Sequence, residues 1–389
     1  MVRQRTGVFT TIRTEGGLLP AELLAGVAAQ DKTIPGLAAA DYHLVKGESF
    51  GNRITESWNR LTAAWKDYTV RLAALSADDQ ATTLTRERWL LPLFNELDYG
   101  RLQTAKALDI EGKQYAVSHG WGNVPIHLVG ARTPLDRRTA GVKGAAGASP
   151  HSLVQEVLNR SGEYLWAFVS NGLVLRVLRD NASLTRQAFV EFDLETMFAD
   201  GVYDDFVVLW LTCHQSRIEA ANPGECWLEQ WTRTAAEQGT RARDNLRAGV
   251  EAAIEALGAG FVAHPANTQL RERLRTGELS THDFYRQLLR LIYRLLFLFV
   301  AEDRNLLHPP DASDEQRRRY ARYYSLARVR TFAGRRRGGP HPDLWDSLVV
   351  VFNGLGVNGG IPALGLPALG SFLWSAAATP DLDDAKIAN

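Results

Sequence analysis

The pattern of apolar and polar positions divides the chain into four stretches. Residues 1–55 lack sustained periodicity. Within them GGLLPAELLAGVAAQ predicts one short helix, with Pro20 at its start, where a missing N–H does no harm. Pro35 and Gly36 then interrupt the chain, so this stretch reads as an arm that packs on something else. Residues 56–98 read as helical, because Trp58, Leu61, Trp65, Tyr68, Val70, Leu72 and Leu75 approximate a 3.6-residue period. A second helix is expected from about Leu84 to Leu97, with Thr83 or Thr85 as its N-cap.

Residues 100–215 change character. LQTAKALDI and KQYAVSHGW are β-like runs joined by Glu111-Gly112, a hairpin signal. VPIHLVG, 124–130, predicts a third strand. A Gly/Ala-rich loop, 139–149, leads to the helix HSLVQEVLNRS, with Ser149 as cap and Pro150 in the first turn. YLWAFVS and LVLRVLR follow as apolar strands around Asn171-Gly172, the strongest short hairpin signal. The order helix, three strands, helix, two strands predicts a mixed α/β fold with one central sheet. Residues 216–389 are mostly helical, with Phe284, Leu288, Leu291, Leu295 and Phe299 near helical spacing. The apolar run LIYRLLFLFVA, 291–301, holds Arg294 and is too short to span a bilayer. It reads as a buried helix, and no membrane partner is expected.

Composition narrows the possibilities. Lys+Arg and Asp+Glu balance at 44 each, so any attraction to nucleic acid must be local. Cys213 and Cys226 are the two cysteines. That excludes a disulfide framework or a four-cysteine zinc site and favours a reduced, cytoplasmic protein. Seven lysines stand against 37 arginines, a compositional bias that discounts arginine counts as an argument for function.

The strand and helix order is that of a PD-(D/E)xK nuclease core, which holds two carboxylates and a lysine at a sheet edge for Mg²⁺-assisted hydrolysis. Glu111-Gly112-Lys113 matches E-x-K, with Asp98 and Asp109 upstream, but it falls on a hairpin tip. The strand best placed for the working residues, VPIHLVGAR, offers His127, Val129 and Gly130 instead. The expected domain is therefore a degenerate one. Asp98, Asp109, Glu111 and Lys113 stay as the alternative, an Mg²⁺-dependent endonuclease. Gly354 to Gly359 spells G-x-G-x-x-G, but Ile361-Pro362 follows where a phosphate-binding helix should begin. Residues 316–337 carry nine arginines (317, 318, 319, 322, 328, 330, 335, 336, 337), three tyrosines and no acid. Arg317, Arg318, Arg319, Arg322, Arg328, Arg330, Arg335, Arg336 and Arg337 are thus candidate DNA contacts, and the tyrosines could stack on exposed bases.

Several segments in one order, among them TEGGLLPAELL, YAVSHGWGNVPIHLVG, SPHSLVQEVLNRS, VSNGLVLRVLRDN and above all YRLLFLFVAEDRNLL, resemble the N-terminal region of type IIG-like adenine-specific DNA methyltransferases of bacterial phage-defence systems. The resemblance covers nearly the whole chain. It implies a PD-(D/E)xK-like domain, 56–215, behind an arm, 1–55. A mainly helical connector, 216–389, then leads toward a methyltransferase domain. S-adenosylmethionine, with Mg²⁺ where the nuclease is active, belongs to the full-length family, and this chain has no Asn-Pro-Pro-Tyr motif. No cofactor is expected here. The implied partners are DNA and a methyltransferase domain or other defence-system subunits, with a protein-interaction scaffold as a further alternative. Gln155 falls on the helix after the third strand, where such nuclease domains often carry a glutamine.

Overall fold

The computed structural model describes residues 9–45, 47–180, 188–334, 338–356 and 359–389. The chain forms two compact units, Met1–Thr240 and Arg241–Asn389, and the expected arm lies within the first.

The first unit is mixed α/β. Strand β1 (Ile12–Glu15) and helix α1 (Ala21–Ala28) precede the long helix α2 (Phe50–Ala74). Pro20 is the N-cap of α1, and Ser49 caps α2 by accepting the Asn52 N–H. The next helical segment runs as α3 (Thr82–Thr85), a π turn (Arg86–Leu90) and α4 (Leu91–Glu96). Arg132 donates to the carbonyls of Leu72, Leu75, Ser76 and Asp79, satisfying orphan acceptors where α2 ends.

Seven strands make one sheet in the order β1-β9-β8-β7-β6-β5-β2. They are β2 (Gln103–Thr104), β5 (His119–Trp121), β6 (Val124–Leu128), β7 (Trp166–Ser170), β8 (Val174–Arg179), β9 (Phe189–Asp193) and β1. β3 (Leu108–Ile110) and β4 (Lys113–Tyr115) form a separate hairpin. Each of the two long β-like runs therefore divides, one half in the hairpin and the other at the sheet edge. All pairings in the large sheet are antiparallel except β6 with β7. That pair is joined through α5 (Pro150–Arg160), as a parallel crossover requires. Ser149 caps α5 by accepting the Ser152 N–H, and Pro150 opens it.

The two sheet faces follow from the pleat. Ile126, Leu128, Phe168, Val177 and Val190 join Trp65, Trp89, Phe94 and Trp210 in one core. Ala167, Val169, Leu178 and Phe189 meet Val154 and Val157 of α5 in another. Helices α6 (Leu194–Ala199) and α7 (Tyr203–Cys213) follow β9. Asp205 of α7 accepts from the N–H groups of Thr10 and Thr11 and the Thr11 hydroxyl, anchoring the arm before β1.

Helix α8 (Trp227–Ala263) supplies residues to both units. The second unit continues with α9 (Thr268–Thr276), α10 (Thr281–Asp303), α11 (Asp314–Tyr323), α12 (Leu326–Ala333) and α13 (Asp343–Gly356) around its own core. The run 291–301 is amphipathic rather than buried all round. Leu291, Ile292 and Leu298 are inside, whereas Tyr293, Phe297 and Val300 are exposed. Arg294 is buried because its guanidinium has four partners. It donates to the Leu373 and Ser375 carbonyls, pairs with Asp383 at 3.1 Å and lies over Phe352. Among the described residues no helix is long and apolar enough to cross a membrane.

Candidate functional site

The carboxylates and lysine singled out in the sequence do not gather at one place. Asp109, Glu111 and Lys113 lie on the β3–β4 hairpin. Asp109 accepts from the Gly112 N–H at 3.1 Å and from the Gln114 side chain. Glu111 occupies the left-handed turn position, φ 53°, and faces Arg160 at 3.5 Å. The Lys113 ammonium donates to Glu156 at 2.6 Å, and the Tyr115 hydroxyl donates to the same carboxylate at 2.9 Å. These bonds tie the hairpin to the outer side of α5. They pull the Glu156 carboxyl below its ordinary range, Lys113 first and Tyr115 after it. Asp98 stands elsewhere, beside His43 and His214.

The positions singled out on β6 and just after it are occupied by residues that serve packing. His127 is fully buried on β6, and its Nε2–H donates to the Gly144 carbonyl at 3.0 Å. A Cβ on Gly144 would meet that ring at 2.4 Å, so the loop glycine and the histidine fit together. Burial first, then nearby Arg86 and His119, hold the His127 imidazole down at about 4, against the Gly144 bond. Gly130 is a glycine because the Gln80 carbonyl passes 1.8 Å from where a Cβ would stand. Gln155 donates to Asn159 and to the Arg179 carbonyl.

The α5-covered face carries a cross-strand row in register, His127, Val169, Arg176, Glu191 and Arg13. At its centre Arg176 is nearly buried. It grips Asp136 with two N–H groups at 2.6 and 2.8 Å, Glu191 at 2.5 Å, and contacts His151 at 3.2 Å. The Asp136 and Glu191 carboxylates are thus both bound by one guanidinium. Among the described residues no group of three or more His, Cys, Asp or Glu could hold a metal ion.

The basic segment forms α11 and α12, joined at Tyr324-Ser325. A capping box at Ser313 and Gln316 opens α11, and Ser325 caps α12. Its arginines divide into two sets. Arg317 is spent on the Pro309 and Ala312 carbonyls. Arg319 pairs with Glu315 and the Ala363 carbonyl, and Arg330 with Asp303 at 3.3 Å. Arg318, Arg322 and Arg328 pair with no carboxylate among the described residues. Arg322 lies 5.3 Å over the Tyr323 ring, and Arg328 donates to the Tyr323 carbonyl at 3.1 Å. Tyr323 is half exposed. Tyr320 instead points inward and donates to Glu302 at 2.6 Å. Arg335, Arg336 and Arg337 lie outside the described residues.

The Gly354–Gly359 run begins inside α13, with Val357 and Asn358 outside the described residues. A Cβ on Gly354 would stand 2.1 Å from the Ile361 side chain, and one on Gly356 would stand 2.2 Å from the Trp374 carbonyl. These glycines let the C-terminal segment lie close to the helix. Cys213 and His214 do not form a dyad. The thiol is enclosed and burial pushes it well above its ordinary value, while the ring is bound to Ser216 at 2.8 Å.

Sequence reasoning missed the Arg176 network and the neighbours of Asp98, because both join residues far apart in the chain with no spacing to mark them. Comparison with family models, curated proteins and solved structures finds no match to this chain.

Proposed function

We propose that this chain is a DNA-associated, non-catalytic module of a bacterial adenine methyltransferase defence system, acting in the cytoplasm. On this reading the first unit is a degenerate PD-(D/E)xK domain and the second a helical connector to a methyltransferase domain. One observation carries the DNA contact. Arg318, Arg322 and Arg328 keep no carboxylate partner among the described residues, and Arg322 and Arg328 both contact the half-exposed Tyr323. Guanidinium groups without a carboxylate partner can bind phosphate and release its counterions, and an exposed tyrosine offers a face to an unstacked base. Supporting the non-catalytic part, His127 and Gly130 occupy the expected acid and lysine strand for reasons of packing. Carboxylates that remain near the sheet are bound by arginine or lysine.

Anisotropy titration of a labelled duplex at several salt concentrations tests the reading. Micromolar binding at low salt that weakens steeply with added salt is expected. Absence of binding at low salt removes the DNA contact.

A further inference from the structure

We propose that loop 136–143 of the first unit is a phosphate-binding surface for duplex DNA, with Arg137, Arg138 and Lys143 meeting the backbone. This rests on DNA being the partner, but not on the arginines of α11 and α12.

The loop follows β6, at the edge of the sheet where β6 and the parallel β7 both finish. Open α/β sheets bind ligands beyond the carboxyl ends of their strands. Several bonds hold the loop there. The Asn171 side chain after β7 donates to the Thr133 carbonyl, and the His151 N–H of α5 donates to the Leu135 carbonyl. The Thr139 N–H donates to Ala145, the Val142 N–H to Thr139 and the Ala145 N–H to Val142, so the segment closes on itself. His127 of β6 then holds the Gly144 carbonyl at 3.0 Å. Arg138 and Lys143 therefore stand beside the hydrogen-bonded Thr139 and Val142, on a loop fixed at both ends.

The charge of this loop is not balanced from within. Residues 133–149 hold three cations and one acid, Asp136. Arg176 takes Asp136 at 2.6 and 2.8 Å and Glu191 at 2.5 Å, and Arg13 takes Glu15 at 2.6 Å. The acids around Arg176 are thus occupied. Arg137, Arg138 and Lys143 are exposed, and their side chains have no hydrogen bond or ion pair among the described residues. Helix α5 starts at Pro150, and its N-terminal dipole adds positive potential where the loop ends. Lys143 is one of seven lysines in the chain, so arginine bias alone does not account for the cluster. Cations this close repel one another, because salt screens only beyond about 8 Å. A row of phosphates relieves that repulsion, and each phosphate met releases its counterions.

The test is anisotropy of a labelled duplex with the full chain across a salt series. Arg137→Ala/Arg138→Ala/Lys143→Ala should weaken binding about tenfold or more at low salt and make the slope of log affinity against log salt shallower by about 2–3. The three side chains make no polar contact among the described residues, so the melting temperature should not change. Arg137→Lys/Arg138→Lys keeps the charge and should keep the slope. Arg71→Ala/Arg247→Ala/Arg275→Ala removes three exposed arginines that are paired with Asp67, Glu251 and Glu272, and should leave the slope unchanged. Equal binding by the loop variant and the unaltered chain overturns the proposal. So does an equal loss in the paired-arginine variant, or a slope lost in Arg137→Lys/Arg138→Lys as well. If Arg318→Ala/Arg322→Ala/Arg328→Ala alone loses affinity, the α11–α12 contact stands and the loop contact falls. If the loop variant alone loses it, the reverse holds. No binding by the unaltered chain removes both.

Discussion

The guanidinium of Arg217 lies 3.7 Å over the ring of Tyr42. Arg217 is fully buried yet has no carboxylate within ion-pairing distance among the described residues. Its charge is met by carbonyls of Gly36 and Asp41, the Ser216 hydroxyl and three aromatic rings, those of Tyr42, Trp227 and Trp231. Burial is the chief reason its basicity falls to about 10. The arm, the turn after α7 and the start of α8 thus share one side chain.

Arg217→Ala should therefore destabilise the first unit by about 3 kcal/mol, the worth of two or so charge-assisted bonds left unmade. Arg217→Lys should recover little, because an ammonium cannot reach both carbonyls and stack at once. Urea unfolding followed by tryptophan emission measures both. A midpoint unchanged in Arg217→Ala would remove this residue from the account of the arm.

Gly172 is a second point of tight fit. Its φ is 84°, and a Cβ there would stand 2.5 Å from Thr85 and 3.2 Å from Trp89. Its carbonyl accepts from the Trp89 indole at 2.7 Å. Gly172→Ala adds backbone strain and overpacking together, so a loss of about 2–3 kcal/mol is expected in the same assay.

Stability should fall as the solution is acidified. Burial, the largest cause in each case, lowers His119, His127 and His151 from 6.5 to about 4. Below pH 6.5 the unfolded chain binds protons that the folded chain refuses, so stability is intact above 6.5 and declines down to about pH 4. Asp136, held below its ordinary value chiefly by Arg176, adds to the loss at the acid end as pH drops through its folded value. Urea midpoints at pH 7.5, 6 and 5 should decrease in that order, with an overall loss on the order of 6 kcal/mol, about 2 for each ring. Equal midpoints at the three values would contradict the buried, neutral state of these rings.

The β3–β4 hairpin should be dispensable for any chemistry. Glu111 and Lys113 are exposed and serve contacts to α5. Glu111→Ala and Lys113→Ala should leave DNA binding unchanged. Duplex DNA incubated with Mg²⁺ or Mn²⁺ should stay intact with each form of the protein. Cleavage abolished by Glu111→Ala would restore the endonuclease reading.

Some local signals are legible in the sequence, but the N-cap expected at Thr83 or Thr85 falls at Ala81 in the left-handed conformation, with no side-chain cap, so both threonines lie inside the helix. Asn171-Gly172 makes the β7–β8 hairpin, Glu111-Gly112 makes the β3–β4 turn, and Ser149-Pro150 starts α5. The strands β1 and β9 were not foreseen, because their pairing, Ile12 with Phe192, joins the two ends of the unit and leaves no mark in either segment. The π turn at Arg86–Leu90 also has no periodic signature. For the site, the cluster of arginines was legible as charge. Which of them are spent on carbonyls, as Arg317 is, depends on the loop folded against them. Asp98 was visible as a carboxylate, but His43 and His214 reach it only through the tertiary fold.

The central claim is tested most directly by the salt dependence of duplex binding for the unaltered chain and for Arg318→Ala/Arg322→Ala/Arg328→Ala. Each phosphate contact contributes about 0.9 to the slope of log affinity against log salt. The triple variant should bind more weakly at low salt, with a slope shallower by about 2–3 and an unchanged melting temperature. Equal affinity and equal slope for the two proteins would show that these arginines do not meet DNA.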